Sequence, residues 1–84
     1  MKELAGKIND FLGATASGLA DSDIENAKSF LKHGEYGVAF ELICEQLYEN
    51  DALLTEEQIS VAQEIAVMME LDDNSWSFLK ENVQ

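Results

Sequence analysis

Apolar residues recur along this chain at intervals of three and four, the spacing of a helix that buries one face. The longest such run covers residues 35–51, EYGVAFELICEQLYEND, where Tyr36, Ala39, Phe40, Ile43, Cys44 and Leu47 fall on one side. Glu41, Glu45 and Glu49 form an i, i+4, i+8 row on the other side, with Tyr48 beside them. Like charges at that spacing cost a helix roughly 0.2–0.5 kcal/mol per neighbouring pair. A helix that carries the row with no lysine in between is a candidate for presenting it to something positive.

The same period predicts the other elements. Residues 2–12 read as a first amphipathic helix with Leu4, Ile8, Phe11 and Leu12 on one stripe. Gly13-Ala14-Thr15-Ala16-Ser17-Gly18 then predicts a loop or a frayed last turn. Ser22-Asp23-Ile24-Glu25 has the form of a capping box that opens a second helix, with Ile24, Ala27, Phe30 and Leu31 facing inward. Lys32 and His33 suit the negative end of that helix, and Gly34 suits a left-handed stop. The third helix starts so soon after Gly34 that the two should form a tight hairpin, and Asn50 and Asp51 end it.

Thr55-Glu56-Glu57-Gln58 is a second capping box. It opens a helix to about Met69, with Ile59, Val61, Ala62, Ile65, Ala66, Met68 and Met69 over roughly half its circumference. Asp72, Asp73 and Asn74 offer caps for a short final helix whose inward stripe is Trp76, Leu79 and Val83. No segment alternates with the period of a strand. The expected fold is therefore all-α: one domain over residues 1–84, a small bundle of about five helices, four main ones plus a short C-terminal one. The third should lie near the centre. Phe11, Phe30, Tyr36, Phe40, Trp76 and Phe78 are the large core candidates, each able to bury on the order of 150–250 Å².

Composition narrows the function more than the fold. The chain has 84 residues, 46% of them hydrophobic, and no proline. That is enough for one small core, near the lower size limit for folding without staples. No apolar run reaches membrane-spanning length, and MKELAGKINDFLG does not resemble a signal peptide, so a cytoplasmic location is expected. Cys44 is the only cysteine, which excludes an internal disulfide, and its place on the apolar face makes it a small core residue.

The formal net charge is −12, and it is uneven. The positive residues are Lys2, Lys7, Lys28, Lys32 and Lys80, so the stretch from His33 to Leu79 holds eleven acids and no lysine or arginine. A field of this sign repels nucleic-acid phosphates, which argues against direct DNA or RNA binding. It attracts basic partners and speeds their encounter. The plainer alternative is solubility alone.

Catalytic and metal-binding patterns are weak. The single histidine, His33, sits at a helix end, where a dipole partner is the ordinary reading. There is no Ser/His/Asp set, Cys/His cluster, HExxH or glycine-rich phosphate loop, and carboxylates on a solvent face lack the apolar pocket that acid–base work needs. The protein is expected not to be an enzyme. Asp21-Ser22-Asp23-Ile24-Glu25-Asn26 begins like a calcium loop, but Asn26 and Lys32 stand where its glycine and bidentate glutamate belong. No cofactor or metal is implied. Acyl carriers are also small acidic helical bundles, with a modified serine in an Asp-Ser-Leu motif. Here Asp21-Ser22 is followed by Asp23, and the stretch before it is short for a carrier.

From His33 onward the chain resembles a known family. His33-Gly34-Glu35 leads into a helix carrying Ala39, Glu41, Leu42, Cys44, Leu47 and Glu49. Thr55-Glu56-Glu57 opens the next, followed by Met69, Leu71 and Trp76-x-x-Leu79. This order is similar to that of the MafI-type immunity proteins of bacterial toxin systems, including those of contact-dependent growth inhibition. The resemblance covers roughly residues 24–83 and rests largely on helix and cap positions. It implies a small helical protein that binds a toxin's C-terminal nuclease domain one-to-one, often an EndoU-type ribonuclease, and occludes its basic cleft. On that expectation Glu41, Glu45, Tyr48, Glu49, Asp51 and Glu56 form the toxin-binding set, with Asp72 and Asp73 as a second patch. The free protein should be a monomer that binds neither nucleic acid nor membrane. An acidic carrier-like domain, or an adaptor for another basic protein, is the alternative.

Overall fold

The computed structural model describes residues 2–83, apart from the Lys2 side chain; Met1 and Gln84 lie outside the described residues. Four α-helices, α1 (Lys2–Thr15), α2 (Asp21–Lys32), α3 (Tyr36–Glu49) and α4 (Glu56–Met68), precede a C-terminal segment of two 3-10 turns, Asp73–Ser75 and Ser77–Asn82. A further 3-10 turn, Ala16–Gly18, follows α1. Among the described residues there is no strand, only a single parallel bridge between Leu54 and Val83. The all-α bundle is as expected, and among the described residues no helix is long and apolar enough to cross a membrane.

Helix α1 runs through Gly13 and Ala14 to Thr15, past the break those residues suggest. Thr15 is buried, and its hydroxyl donates to the Phe11 carbonyl at 2.9 Å, which satisfies the polar group without leaving the helix. The 3-10 turn then lays Gly18 against the end of α3. A Cβ at Gly18 would lie 2.5 Å from Ala52 Cβ, so this contact admits only hydrogen at that position.

Helix α2 starts at Asp21, capped from Ala20, two residues ahead of the expected Ser22 cap. Ser22 lies within the first turn and does not cap. Asp23 accepts weakly from the Ala20 amide at 3.4 Å. With the earlier start, Asp21 and Asp23 both sit in the first turn, where the positive end of the helix favours acids.

Helices α2, α3 and α4 end in the same way. At Gly34 (φ +75°) the Glu35 amide donates to the Phe30 carbonyl at 2.8 Å and the Gly34 amide to that of Leu31 at 3.1 Å. The pair repeats at Asp51 (φ +51°), with Ala52 to Leu47 and Asp51 to Tyr48, and at Glu70 (φ +54°), with Leu71 to Ala66 and Glu70 to Val67. Each is a Schellman stop with a left-handed residue. Only the first uses glycine; Asp51 and Glu70 carry a Cβ in a backbone region that disfavours one. The Thr55 box forms as expected: Thr55 Oγ1 accepts from the Gln58 amide at 3.1 Å, and Gln58 Oε1 accepts from the Thr55 amide at 3.0 Å.

Ala39, Phe40, Ile43, Cys44 and Leu47 on α3 are all buried, and Phe40 meets Phe11 with ring centroids 6.0 Å apart. Helix α3 packs on α1, α2 and the C-terminal segment. The central position expected for it is shared, however, because α1 is the helix that packs against all three others. Phe11 and Leu12 are adjacent and both buried, which widens the apolar stripe of α1 enough to face α3 and α4 together.

The expected short C-terminal helix is present in 3-10 form; its buried residues are Trp76, Leu79 and Asn82, while Val83, expected on the inward stripe, is half-buried. A 3-10 turn has three residues per revolution, so positions 76, 79 and 82 eclipse on one side. Local bonds assist: Asp72 Oδ1 accepts from the Asn74 amide at 2.9 Å, and the Ser75 hydroxyl donates to the Asp72 carbonyl at 2.7 Å. The segment is tied down where the Leu54 amide donates to the Asn82 carbonyl at 2.9 Å and Asn82 Nδ2 donates to the Leu47 carbonyl at 3.2 Å.

Candidate functional site

The apolar contacts of α3 turn its other face outward. Glu41, Glu45, Tyr48 and Glu49 are all exposed, as the alternation of inner and outer positions predicts. Between the C-terminal half of this face and the C-terminal segment lies an open groove of about 830 Å³, lined by Glu45, Gln46, Tyr48, Glu49, Asn50 and Phe78. Among the described residues, no lysine or arginine lines it.

Tyr48 forms one aromatic wall of the groove. Its ring packs against Phe78 in an edge-on arrangement, centroids 5.3 Å apart and planes at 75°. Its hydroxyl donates to Glu81 Oε1 at 3.4 Å. Two residues of another element thus contact the ring while the residue stays 38% exposed. The negative charge of Glu81 chiefly, then desolvation, the hydrogen bond to Glu81 and the charges of Asp51 and Glu49 push the Tyr48 phenol above its ordinary ionisation range. Tyr48 is therefore a neutral donor at physiological pH.

The nearest cation in sequence looks elsewhere. Lys80 Nζ lies 5.1 Å from the Trp76 ring centroid and lines a neighbouring groove with Glu56, Ile59, Ser60 and Val83. Trp76 itself is buried, and its Nε1 has no hydrogen-bond partner. A separate ion pair, Lys7 with Glu64 at 2.7 Å, ties α1 to α4.

The six expected contact residues do not form one cluster. Glu45, Tyr48 and Glu49 line the groove together. Asp51 sits in the left-handed stop that ends α3, close enough for its charge to act on Tyr48. Glu41 continues the row toward the start of α3, outside the groove lining. Glu56 lines the adjacent groove beside Lys80. Asp72 and Asp73 are exposed, and Asp72 caps the 3-10 turn.

Phe78 and Glu81 are the site residues that the sequence pattern does not single out. Phe78 is a core aromatic by type, yet it is half-buried and forms a wall. The available signal is its position between Trp76 and Leu79, off the inward stripe, where an aromatic ring must be partly exposed.

Two other candidates resolve locally. Cys44 is fully buried, and desolvation, followed by the charges of Glu41 and Glu45, pushes its thiol far above the ordinary range, so it stays a neutral packing residue. His33 is exposed and its Nδ1 lies 2.8 Å from the Ser29 carbonyl, the local bond of a helix-end residue. Asp21, Ser22, Asp23, Glu25 and Asn26 are all helical. Among the described residues no three His, Cys, Asp or Glu side chains lie together in a way that could hold a metal ion. Comparison of the chain with protein-family models, with curated proteins and with solved structures gives no match.

Proposed function

We propose that this protein is an immunity protein that binds the basic nuclease domain of a cognate bacterial toxin, of the EndoU ribonuclease type, and neutralises it by occluding its cleft. The observation that carries the reading is the outer face of α3: a run of carboxylates with no interspersed cation, around an exposed tyrosine that packs against Phe78. A ribonuclease cleft presents lysine and arginine to RNA phosphates, and carboxylates at helical spacing offer the complementary charge. Tyrosine is among the residues that dominate binding energy at the centre of such interfaces. The proposed contact set is Glu41, Glu45, Tyr48, Glu49 and Asp51, with Glu56 at its edge.

The test is a search of the gene's neighbourhood for a toxin with a nuclease domain, followed by co-expression with that domain. The expected outcome is restored growth, loss of RNA cleavage in the purified mixture, and a one-to-one complex on size-exclusion chromatography. Growth arrest that persists despite soluble expression of this protein, with no complex formed, would rule the reading out. Within a complex, Glu45→Lys should slow association and flatten its salt dependence with little change in thermal stability.

A further inference from the structure

The groove between α3 and the C-terminal segment has a composition more specific than negative charge. One wall is α-helical and carries Glu45 and Glu49, four residues apart on the same face. The other wall brings Phe78, and Glu81 reaches the Tyr48 hydroxyl from the same segment. Tyr48 lies where the two walls meet. Its ring packs edge-on against Phe78, and its hydroxyl makes a long contact with Glu81 Oε1 at 3.4 Å.

A flat aromatic surface flanked by carboxylates suits a planar cation. A guanidinium stacks on an aromatic face and donates in a fork to carboxylate oxygens, whereas an ammonium is a compact, strongly hydrated point charge. The chain has no arginine, and among the described residues no lysine lines this groove. Lys80, the one lysine of the C-terminal segment, is placed over Trp76, so cation–aromatic pairing within the molecule is satisfied on the neighbouring side and left open here.

We infer that this groove is a pocket for a single arginine side chain of the protein partner, with the guanidinium against Tyr48 and between Glu45 and Glu49. The inference rests on the proposed reading of a basic protein partner and names the residue type at the centre of the contact. Phe78 and Glu81 act as positioning residues: they hold the tyrosine ring in place.

The experiment needs no toxin. Two amidated, acetylated peptides, Gly-Arg-Gly-Arg-Gly and Gly-Lys-Gly-Lys-Gly, carry equal charge and are titrated into the full chain. The aromatic NMR signals of Tyr48 and Phe78 report binding. The expected result is saturable shifts centred on Tyr48 and Phe78, with the arginine peptide bound about fivefold or more tightly than the lysine peptide. Tyr48→Leu should weaken the arginine peptide by about fivefold and erase the preference, while Glu3→Gln with Glu25→Gln, exposed acids away from the groove, should change it less than about twofold. Because Tyr48 is exposed, the leucine variant is expected to fold, and its amide spectrum checks this. Equal affinity for the two peptides, or shifts spread evenly over Glu41, Glu56, Glu64 and Asp72, would overturn the pocket. If the toxin is neutralised yet the peptides show no preference, the pocket falls and the immunity reading stands. If the arginine preference is found and no nuclease is bound, the reverse holds.

Discussion

The two walls of the groove are built on different physical terms. Helix α3 holds its wall through its own backbone: fourteen residues in continuous α-helix, with a buried face from Ala39 to Leu47. The C-terminal segment holds its wall through distant anchors, namely the buried Trp76 and Leu79, the Leu54–Asn82 backbone bond and the amide of Asn82 on Leu47. One wall depends on the core for burial only, whereas the other depends on it for position. A carboxylate on α3 therefore stays put under small perturbations, while Phe78 and Glu81 move with whatever loosens residues 72–83.

The strongest way to break that contrast is to remove one apolar anchor from each side. Phe40→Ala should cost roughly 3–5 kcal/mol and Leu79→Ala roughly 2–5 kcal/mol. In urea, Phe40→Ala should shift a single two-state transition, because Phe40 lies in the shared core with Phe11. Leu79→Ala should in addition raise amide exchange across residues 76–83 before the main transition. Equal exchange protection in both variants would show the segment to be no looser than α3.

A smaller effect sharpens the boundary between the walls. Asp51→Gly relieves the left-handed strain at the end of α3 but adds chain entropy to the unfolded state, so a net gain of about 0.5 kcal/mol is expected. Glu70→Gly should gain more, about 1 kcal/mol, since aspartate tolerates this backbone region better than glutamate. Denaturation midpoints decide it. A loss of stability in Asp51→Gly would mean that the Asp51 carboxylate makes a contact worth more than its backbone strain.

The smallest effect is spectroscopic. The chain has two tyrosines, so in a Tyr36→Phe background the ultraviolet titration reports Tyr48 alone. Its phenol should ionise above the ordinary tyrosine range, and Glu81→Gln should bring it back toward that range, with Glu81 the first cause of the shift. The sign follows from the raised value. The stabilisation of neutral Tyr48 in the folded protein is fully present below the unfolded pKa and is lost as pH rises through the higher folded one. Leu79→Ala should lower the Tyr48 value as well, because it frees Glu81. That coupling is what the two-wall description demands, and its absence would sink it.

How much of this is readable from the chain follows from the range of each interaction. The Gly34 stop and the Thr55–Gln58 box act within a few residues, and both form where the sequence places them. The inner and outer faces of α3 are a matter of period alone, so Glu45, Tyr48 and Glu49 emerge together. Ser22 fails as a cap because the helix starts two residues ahead of the expected position, with Asp21 and Asp23 both in its first turn. Helix α1 outruns its glycine because Thr15 is buried, which no local pattern reveals. At the C-terminus, Trp76 and Leu79 fit periods of 3.0 and 3.6 equally well, and the bonds that Asn82 makes with Leu54 and Leu47 lie too far along the chain for any periodic signal to reveal. Phe78 and Glu81 reach Tyr48 across about thirty residues of sequence, beyond any periodic signal. Glu56 shares the charge of the row, but its helix starts on the Lys80 side.

Cys44 gives the molecule a clock. It is the sole sulfhydryl, enclosed at the heart of α3 and held un-ionised. A thiol-labelling reagent added to the native protein can reach it only during excursions that expose the core, so the labelling rate counts those openings. A ligand that binds only the closed form slows the count by a factor of one plus its concentration over its dissociation constant. Any binder can thus be timed on the unmodified chain, wherever on the surface it lands, with no label attached to either molecule beforehand.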